Sequence, residues 1–385
     1  MTKISLIATS TFGLEALVKK EVRDLGFFTT AGSDGKIEFD ATINEIPKAN
    51  IHLRCADRVV VKLGQFEARD FDQLFDGIKA IPFEQWLIPE GKITVTGSSV
   101  KSKLESVRSN QSVGKKAIIE RLKEKFNRNE FPETGPEFTI HIGILKDMAL
   151  ITLDTSGDGL HKRGYRKKTG EAPIRETLAA ALVVLSGWKK DQFLIDPMCG
   201  AGTILIEAAM LARNIAPGMN RTFISEQWPV IDPKAWTTAR DEARQGIVPS
   251  GGLRIRGYDI EPDLVKCCRE NAANAGVEKD IVFEAKDACD LQLDLETGMV
   301  ISNPPYGVTL STLRDLNPLY HALDEKFRNQ KGWSLYFLTS DKRFPEFFTR
   351  GRPDKVRKLF NGNIEVNYYQ YQALKSDQGS GISDR

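Results

Sequence analysis

Cysteine and histidine are scarce in this chain of 385 residues, which contains five of the former and four of the latter. The odd number of cysteines argues against a complete disulfide framework, and none stands at the spacing of a zinc or thiol-redox motif. The histidines are scattered, with no pair one helical turn apart that could hold a metal. The sequence therefore predicts neither disulfides nor a metal site.

Long apolar runs are absent as well. No segment approaches the roughly 18 consecutive apolar residues that a membrane-spanning helix needs. The short apolar stretch Ile4 to Ala8 is followed by no cleavage site typical of a secretory signal. We therefore expect a soluble, cytoplasmic protein with no membrane partner. The length exceeds what one hydrophobic core normally supports, which predicts more than one domain.

A large excess of one charge is also missing, since the formal net charge is only +2. The cations nevertheless cluster in the runs Lys101 to Lys116, His161 to Lys168 and Arg350 to Lys358. Local clusters, rather than the global sum, are what a polyanion experiences. Because such a run is often only solvated surface, we expect at least one of them to have no binding role.

The residue pattern divides the chain into consecutive parts. Residues 1–53 are predicted to form an α+β, ferredoxin-like unit, and residues 54–155 a second α+β unit. The stretch 156–172, rich in Gly, Lys and Arg, is typical of a linker. From 173 to 375 strands alternate with helices, which predicts a doubly wound, mainly parallel sheet. The polar tail 376–385 is expected to be disordered.

A glycine-rich turn lies where such a sheet would bind its ligand. The segment Asp196 to Thr203 follows the apolar strand Phe193 to Ile195 and opens the predicted helix Ile204 to Ala212. In doubly wound sheets, ligands bind beyond the carboxyl ends of the strands, where glycine lets the backbone approach closely. The pair Gly200 and Gly202 is shorter than the three-glycine fingerprint of dinucleotide folds. This difference favours a ligand without a pyrophosphate.

Acidic residues follow the next strands of the predicted sheet. Asp259 stands at a strand end, where its carboxylate is suited to accept hydrogen bonds from both ribose hydroxyls of a nucleoside. Asp287 follows the strand that ends at Ala285 and is a candidate acceptor for an adenine amino group, a role that Asp290 could also fill. The pattern indicates a nucleoside pocket.

The segment Asn303-Pro304-Pro305-Tyr306 indicates a reaction at the amino group of a base. It follows the apolar strand Val300 to Ser302, and its prolines fix the backbone while leaving carbonyls without competing donors. The amino group of a heterocyclic base is a poor nucleophile, because its lone pair is delocalised into the ring. If the Asn303 side-chain oxygen and the Pro304 carbonyl accept its two hydrogens, the nitrogen approaches tetrahedral geometry while Tyr306 stacks on the base.

These motifs occur in the order of a known family. From Asp196 to Gly307 the chain resembles class I S-adenosylmethionine-dependent methyltransferases of the amino-methylating type. Upstream, the segments Ser98 to Leu104, Lys115 to Ala117 and Asp154 to Gly157 look like the THUMP domain, an RNA-binding module. The whole is similar to bacterial THUMP-containing guanine-N2 methyltransferases of large-subunit ribosomal RNA.

The resemblance implies the fold class, the cofactor and the partner. The fold would be α/β, with a Rossmann-like class I methyltransferase domain preceded by an α+β region that contains the THUMP domain at 54–155. The cofactor would be S-adenosyl-L-methionine. The partner would be RNA, namely 23S ribosomal RNA, methylated on the N2 amino group of a guanine. The oligomeric state is left open.

The resemblance, together with the basic runs, also implies residue roles. The cofactor would be bound by Asp196, Pro197, Cys199, Gly200, Gly202, Thr203, Asp259, Ile260, Asp287 and Ala288. The base would be held by the predicted catalytic residues Asn303, Pro304, Pro305 and Tyr306. RNA would be contacted by Lys101, Lys103, Lys115, Lys116, Lys162, Arg163, Arg166, Lys167 and Lys168.

Alternatives remain open at this stage. Transfer RNA is a possible substrate, and so is adenine-N6 in DNA, because the Asn-Pro-Pro-Tyr motif recognises an amino group and not the ring that bears it. The RNA-binding module argues against DNA. A scaffold protein with an inactive methyltransferase domain is a further alternative, but the glycine turn and Asn303 are both intact.

The spacing of the motifs predicts an insertion. Asp196 and Asp259 lie much further apart than the about 20 residues that separate the corresponding groups in dinucleotide folds. Residues from near Asn214 to Gly252 must therefore form additional structure, which we interpret as facing the substrate.

Overall fold

The computed structural model describes residues 3–33, 35–166, 174–293, 295–305 and 316–374. Within these ranges no helix is both long enough and apolar enough to cross a membrane. The predicted disordered tail lies outside the described residues. The chain forms two compact units. The amino-terminal unit comprises Met1–Ser10, Glu15–Leu160 and Pro217–Gln245, and the carboxy-terminal unit comprises Thr11–Leu14, His161–Ala216 and Gly246–Arg385.

The amino-terminal unit is built on one seven-stranded sheet with the order β2-β3-β1-β4-β7-β6-β5. Its strands are β1 (Lys3–Thr9), β2 (Phe28–Ser33), β3 (Lys36–Thr42), β4 (Arg58–Glu67), β5 (Lys92–Val100), β6 (Glu137–Leu145) and β7 (Met148–Asp154). Its helices before residue 160 are α1 (Glu15–Asp24), α2 (Ile46–His52), α3 (Phe71–Lys79) and α4 (Val107–Phe126). Strands β1 and β4 pair directly, so the two predicted amino-terminal parts share one sheet.

The two faces of this sheet differ. Side chains alternate between the faces along each strand. On β6, Ile142 lies against Gly114 of α4, and it is fully buried. The neighbouring residues His141 and Gly143 are only partly buried and point to the opposite face. Polar residues at alternate positions therefore collect on the face away from α4.

The carboxy-terminal unit contains a second seven-stranded sheet, with the order β10-β9-β8-β11-β12-β14-β13. The strands after residue 174 are β8 (Leu194–Asp196), β9 (Ile255–Asp259), β10 (Ile281–Ala285), β11 (Thr297–Ser302), β12 (Gly332–Thr339), β13 (Lys355–Asn361) and β14 (Ile364–Tyr371). Its helices are α5 (Glu176–Ser186), α6 (Thr203–Ala212), α8 (Pro262–Asn274), α9 (Asn317–Phe327) and α10 (Phe344–Phe347), whereas α7 (Pro233–Gln245) belongs to the amino-terminal unit. Strands β8 to β12 pair in parallel, which confirms the predicted doubly wound, mainly parallel sheet.

The predicted insertion folds with the amino-terminal unit. Trp228 is 1% exposed, its ring stacks on Phe138 at 5.2 Å between centroids, and its indole N–H donates to the Glu137 carbonyl at 3.0 Å. The Ser225 hydroxyl donates to the Thr155 carbonyl at 2.7 Å. The predicted 173–375 domain is therefore interrupted, because Trp228 of this segment packs against β6 and α7 packs against α2.

Candidate active site at the ends of the parallel strands

Strand register brings the predicted site residues to one edge of the second sheet. Asp196, the last residue of β8, pairs with Gly257 of β9, and Asp259 at the end of β9 pairs with Ala285 of β10. Strand β11, which ends directly before Asn303, pairs with β8 on its other side. Because parallel strands present their carboxyl ends at the same edge, motifs that are distant in sequence converge there.

The glycine turn is held against the neighbouring strand. The Cys199 backbone N–H donates to the Tyr258 carbonyl at 2.8 Å. Gly200 and Gly202 have φ values of 54° and 78°, a left-handed region that glycine adopts without steric cost. A Cβ at Gly202 would lie 3.0 Å from the Phe283 ring, whereas a Cβ at Gly200 would meet nothing within 4 Å. The turn thus leaves open space beside Gly200.

Asp259 lies next to this turn and is 9% exposed. One of its carboxylate oxygens accepts from the Gly200 N–H at 2.9 Å, and the other accepts from the Glu261 N–H at 3.1 Å. Each oxygen keeps a lone pair for a further donor such as a ribose hydroxyl. The next residue, Ile260, is 62% exposed and offers an apolar surface to a planar ring. These residues fit the nucleoside half of S-adenosylmethionine.

Asp196 lies at the predicted end of β8, and its side chain is buried. It is 2% exposed, and its Oδ1 accepts from the Ser302 hydroxyl at 2.6 Å and from the Met198 N–H at 3.1 Å. Burial raises the pKa of Asp196 to about 7, although the hydrogen bonds from Ser302 and Met198 act in the opposite direction. The Asp196 side chain thus links the glycine turn to the residue before Asn303, and its role in cofactor binding stays a prediction.

Sequence reasoning did not identify Ser302 as part of this link. The only local signal is a small hydroxyl residue at the end of an otherwise apolar strand. Its partner, Asp196, lies more than 100 residues away in the chain. Only the pairing of β8 with β11 places the two side chains in contact.

The Asn303 side chain has a buried oxygen, Oδ1, without a hydrogen-bond partner among the described residues. A buried acceptor that lacks a donor costs free energy and calls for an explanation. Pro304 is buried and Pro305 is exposed, while Tyr306 lies outside the described residues. An amino group entering the site would supply the missing donor to Asn303.

The other predicted cofactor residues are distributed around the same edge. Thr203 is 3% exposed and accepts from Arg166 at 2.7 Å, so its hydroxyl is used inside the unit. Asp287 is partly buried and accepts from the Cys289 N–H at 2.8 Å. The remaining predicted residues of this set are buried: Pro197, Cys199 and Ala288.

Two arginines that were predicted to contact RNA form ion pairs inside the carboxy-terminal unit instead. Arg163 is 3% exposed and forms an ion pair with Glu207 at 3.4 Å. Arg166 pairs with Glu176 at 3.2 Å and donates to the Ile174 carbonyl at 2.8 Å. Both were predicted to contact RNA because they stand in a basic run. That prediction is wrong for these two arginines, since their partners on α5 and α6 draw them into the carboxy-terminal unit.

The other predicted RNA-binding residues that the structure describes lie near the surface. Lys101 and Lys103 are exposed on the loop before α4, where the Lys103 N–H donates to the Asp147 side chain at 2.8 Å. On α4, Lys116 is exposed and Lys115 pairs with Glu133 at 3.1 Å. Lys162 is exposed, whereas Lys167 and Lys168 lie outside the described residues.

Fold and site together place the carboxy-terminal unit among the class I methyltransferases, which take their methyl group from S-adenosylmethionine. Comparison with known families agrees. Residues 163–370 match the family described as RMKL-like, methyltransferase domain. Residues 5–60 match the RlmL ferredoxin-like domain, and residues 68–154 match the THUMP domain. The chain therefore belongs to the RMKL-like methyltransferase family and is an S-adenosylmethionine-dependent RNA methyltransferase.

Individual relatives resemble the chain over nearly its whole length. YpsC of Bacillus subtilis, provisionally named an RNA methyltransferase, is 45% identical, with 96% of each chain covered. The ribosomal RNA large subunit methyltransferase K/L of Psychromonas ingrahamii is 35% identical over 94% of this chain, which spans 49% of that relative. The crystal structure of SMU.472, provisionally named a methyltransferase and complexed with SAH, is 40% identical, with a TM-score of 0.91, and covers 98% of this chain and 100% of that one.

Proposed function

We propose that this protein methylates the N2 amino group of a guanine in 23S ribosomal RNA, in the cytoplasm. The observation that carries the proposal is the buried Asn303 Oδ1 without a donor among the described residues, at the strand edge that also bears the glycine turn and Asp259. An exocyclic amino group is the donor that this acceptor fits. The name of the K/L relative supports large-subunit ribosomal RNA as the substrate, although the chain spans only about half of that relative.

S-adenosylmethionine supplies the methyl group when it is bound. Asp259 and Ile260 bind the nucleoside end, and Asn303 with the Pro304 carbonyl accepts the two hydrogens of the target amine. The amine nitrogen is thereby oriented with its lone pair towards the methyl group. A guanine that is paired in a helix has its N2 group occupied, so the base must be unpaired or swung out before it reaches Asn303.

The test compares Asn303→Ala with the unaltered chain on large-subunit RNA from a strain that lacks the gene. We expect turnover to fall by at least about 100-fold, because removing a preorganised transition-state contact typically costs that much. Affinity for S-adenosylhomocysteine should stay within a few-fold. Asn329→Ala is a suitable control, because Asn329 is an exposed asparagine of the same unit.

Nucleoside analysis of the product identifies the base. The proposal requires N2-methylguanosine in 23S RNA, formed by the unaltered chain and not by Asn303→Ala. Formation of N6-methyladenine would contradict the base assignment. Methylation confined to transfer RNA would contradict the substrate.

A further inference from the structure

The amino-terminal unit contains a polar cleft of about 1000 Å³ that the active site does not use. Its floor is the sheet face turned away from α4, and the inserted segment Thr222 to Gln227 lines it as well. The floor is rich in hydroxyl groups, contributed by Thr9, Thr96, Ser98, Thr139 and Thr152. The volume lies at the upper end of the range of small-molecule sites.

A histidine lies in the cleft between two of these hydroxyls. The His141 Nδ1 atom is 3.0 Å from Thr96 Oγ1, and its Nε2 atom is 3.1 Å from Ser98 Oγ. Burial lowers the pKa of His141, and the charges of Lys36 and Arg58 lower it further. The imidazole is therefore neutral at neutral pH, with one ring nitrogen as donor and the other as acceptor. Such uncharged donors and acceptors suit the edge of a base or a ribose.

A glycine leaves part of the cleft floor without a side chain. Gly143 lies on the same strand and face as His141 and lines the cleft. A Cβ at this position would have His141 and Ser98 as its nearest neighbours, at 3.5 Å and 3.6 Å. These distances are those of ordinary van der Waals contact. Packing therefore does not require glycine here. A strand glycine often marks a place where a ligand approaches the backbone closely.

Charges of both signs line the cleft, namely Lys36 and Arg58 with the carboxylates Glu137, Asp154, Asp158 and Glu226. Three of the carboxylates have cationic partners: Arg58 pairs with Asp154, Lys92 with Glu137 and Arg240 with Glu226. Among the described residues that line the cleft, these pairs leave the Lys36 ammonium group as the cation that a ligand can meet. Lys36 lies at the start of β3. A ligand with one anionic group and several uncharged hydrogen-bonding groups fits this arrangement, and a nucleotide has that composition.

We propose that the cleft binds one unpaired nucleotide of the RNA substrate, with the base and ribose among His141 and the hydroxyls and a phosphate facing Lys36. This proposal rests on the proposed function, because it takes RNA as the substrate. Proteins recognise RNA sequence mainly on unpaired nucleotides whose edges are exposed. The cleft would thus hold a nucleotide other than the one that is methylated.

The test fills the cleft without touching the active site. Gly143→Leu places an isobutyl group on the floor, and Gly32→Leu adds the same side chain to an exposed strand glycine of the same sheet. In the full chain, Gly143→Leu should weaken binding to large-subunit RNA by at least about tenfold, as expected when one base can no longer be bound. Gly32→Leu should stay within about twofold of the unaltered chain, and both variants should bind S-adenosylhomocysteine normally.

A second variant covers the case in which Gly143→Leu fails to fold. Thr96→Val with Ser98→Ala removes the two hydroxyls beside His141 and adds no volume, and it should also weaken RNA binding. Ultraviolet cross-linking of bound RNA should label a peptide that contains β6 in the unaltered chain and not in Gly143→Leu.

The outcomes separate the two proposals. Folded variants that bind RNA as well as the unaltered chain overturn the cleft proposal, even if the unaltered chain makes N2-methylguanosine. An unaltered chain that neither binds nor methylates RNA overturns the proposed function and the cleft proposal with it. Binding of free uridine or adenosine monophosphate in the cleft, with no effect of Gly143→Leu on RNA, overturns the RNA assignment of the cleft.

Discussion

A set of buried polar pairs in the carboxy-terminal unit contrasts with a set of polar side chains on an open sheet face of the amino-terminal unit. In the carboxy-terminal unit, charged groups such as Asp196, Arg163 and Glu207 are at most 3% exposed and are held in specific pairs. In the amino-terminal unit, partners such as Thr96 and His141 lie on an open sheet face. Variants at the buried pairs of the carboxy-terminal unit should therefore change stability, and variants on the open sheet face of the amino-terminal unit should change RNA affinity alone.

The largest effect is expected for Arg163→Met. The change leaves Glu207, which is fully buried, without its ion-pair partner, and breaking a buried pair from one side typically costs about 3–5 kcal/mol of unfolding free energy. Urea unfolding measures this loss. Lys162→Met is the control, since Lys162 is exposed. A change below about 1 kcal/mol, the range of exposed ion pairs, would mean that Arg163 behaves as a surface cation after all.

Asp196→Asn should change the pH dependence of stability. Because burial raises the pKa of Asp196 from 3.8 to about 7, the folded chain binds a proton between these values that the unfolded chain has released. The unfolding free energy of the unaltered chain should therefore fall, relative to Asp196→Asn, as the pH rises from about 4 to about 7. The difference should reach at most about 4 kcal/mol.

Unfolding curves of both chains at several pH values test this. Asp191→Asn serves as a control, because Asp191 is exposed. If the difference between the unaltered chain and Asp196→Asn is independent of pH, Asp196 has no raised pKa.

Asp259→Ala should weaken cofactor binding. Two hydrogen bonds from the ribose to a carboxylate would be removed, each worth about 1.5–3 kcal/mol before water compensates, which predicts at least a tenfold fall in affinity. Calorimetric titration with S-adenosylhomocysteine measures it. Glu261→Gln is the matched control. If that variant binds more weakly and Asp259→Ala does not, Glu261 holds the ribose.

The smallest effect is expected for variants of Lys101 and Lys103 on the surface of the amino-terminal unit. Replacing Lys101 and Lys103 with Gln should lower RNA affinity and reduce the slope of log K against log salt, by about 0.7–0.9 for each phosphate that is no longer neutralised. Unfolding free energy should change by no more than about 0.5 kcal/mol. Glutamine at the exposed pair Lys189 and Lys190 is the control. An unchanged slope would assign the Lys101 loop to solvated surface.

The sequence predicted most of the second sheet and its candidate site. Each motif there is contiguous and sits at the end of its own strand, so local patterning identified Asp259, Gly200 and Asn303 without knowledge of the fold. The parallel pairing of β8, β9 and β11 then follows from the alternation of strands and helices. The roles of these residues in binding and catalysis remain predictions for the experiments above.

Only the tertiary structure determined which charged side chains are buried in ion pairs and which unit the inserted segment folds with. Arg163 and Lys101 both stand in basic runs, yet Arg163 is buried because Glu207, on a helix 44 residues away in sequence, supplies its counter-charge. The cleft takes its lining from six strands and from the inserted segment. No contiguous sequence motif could therefore predict it. Contiguous motifs are visible in a sequence because their geometry is local, whereas the partner of a buried charge and the walls of a cleft come from distant segments that only the folded chain brings together.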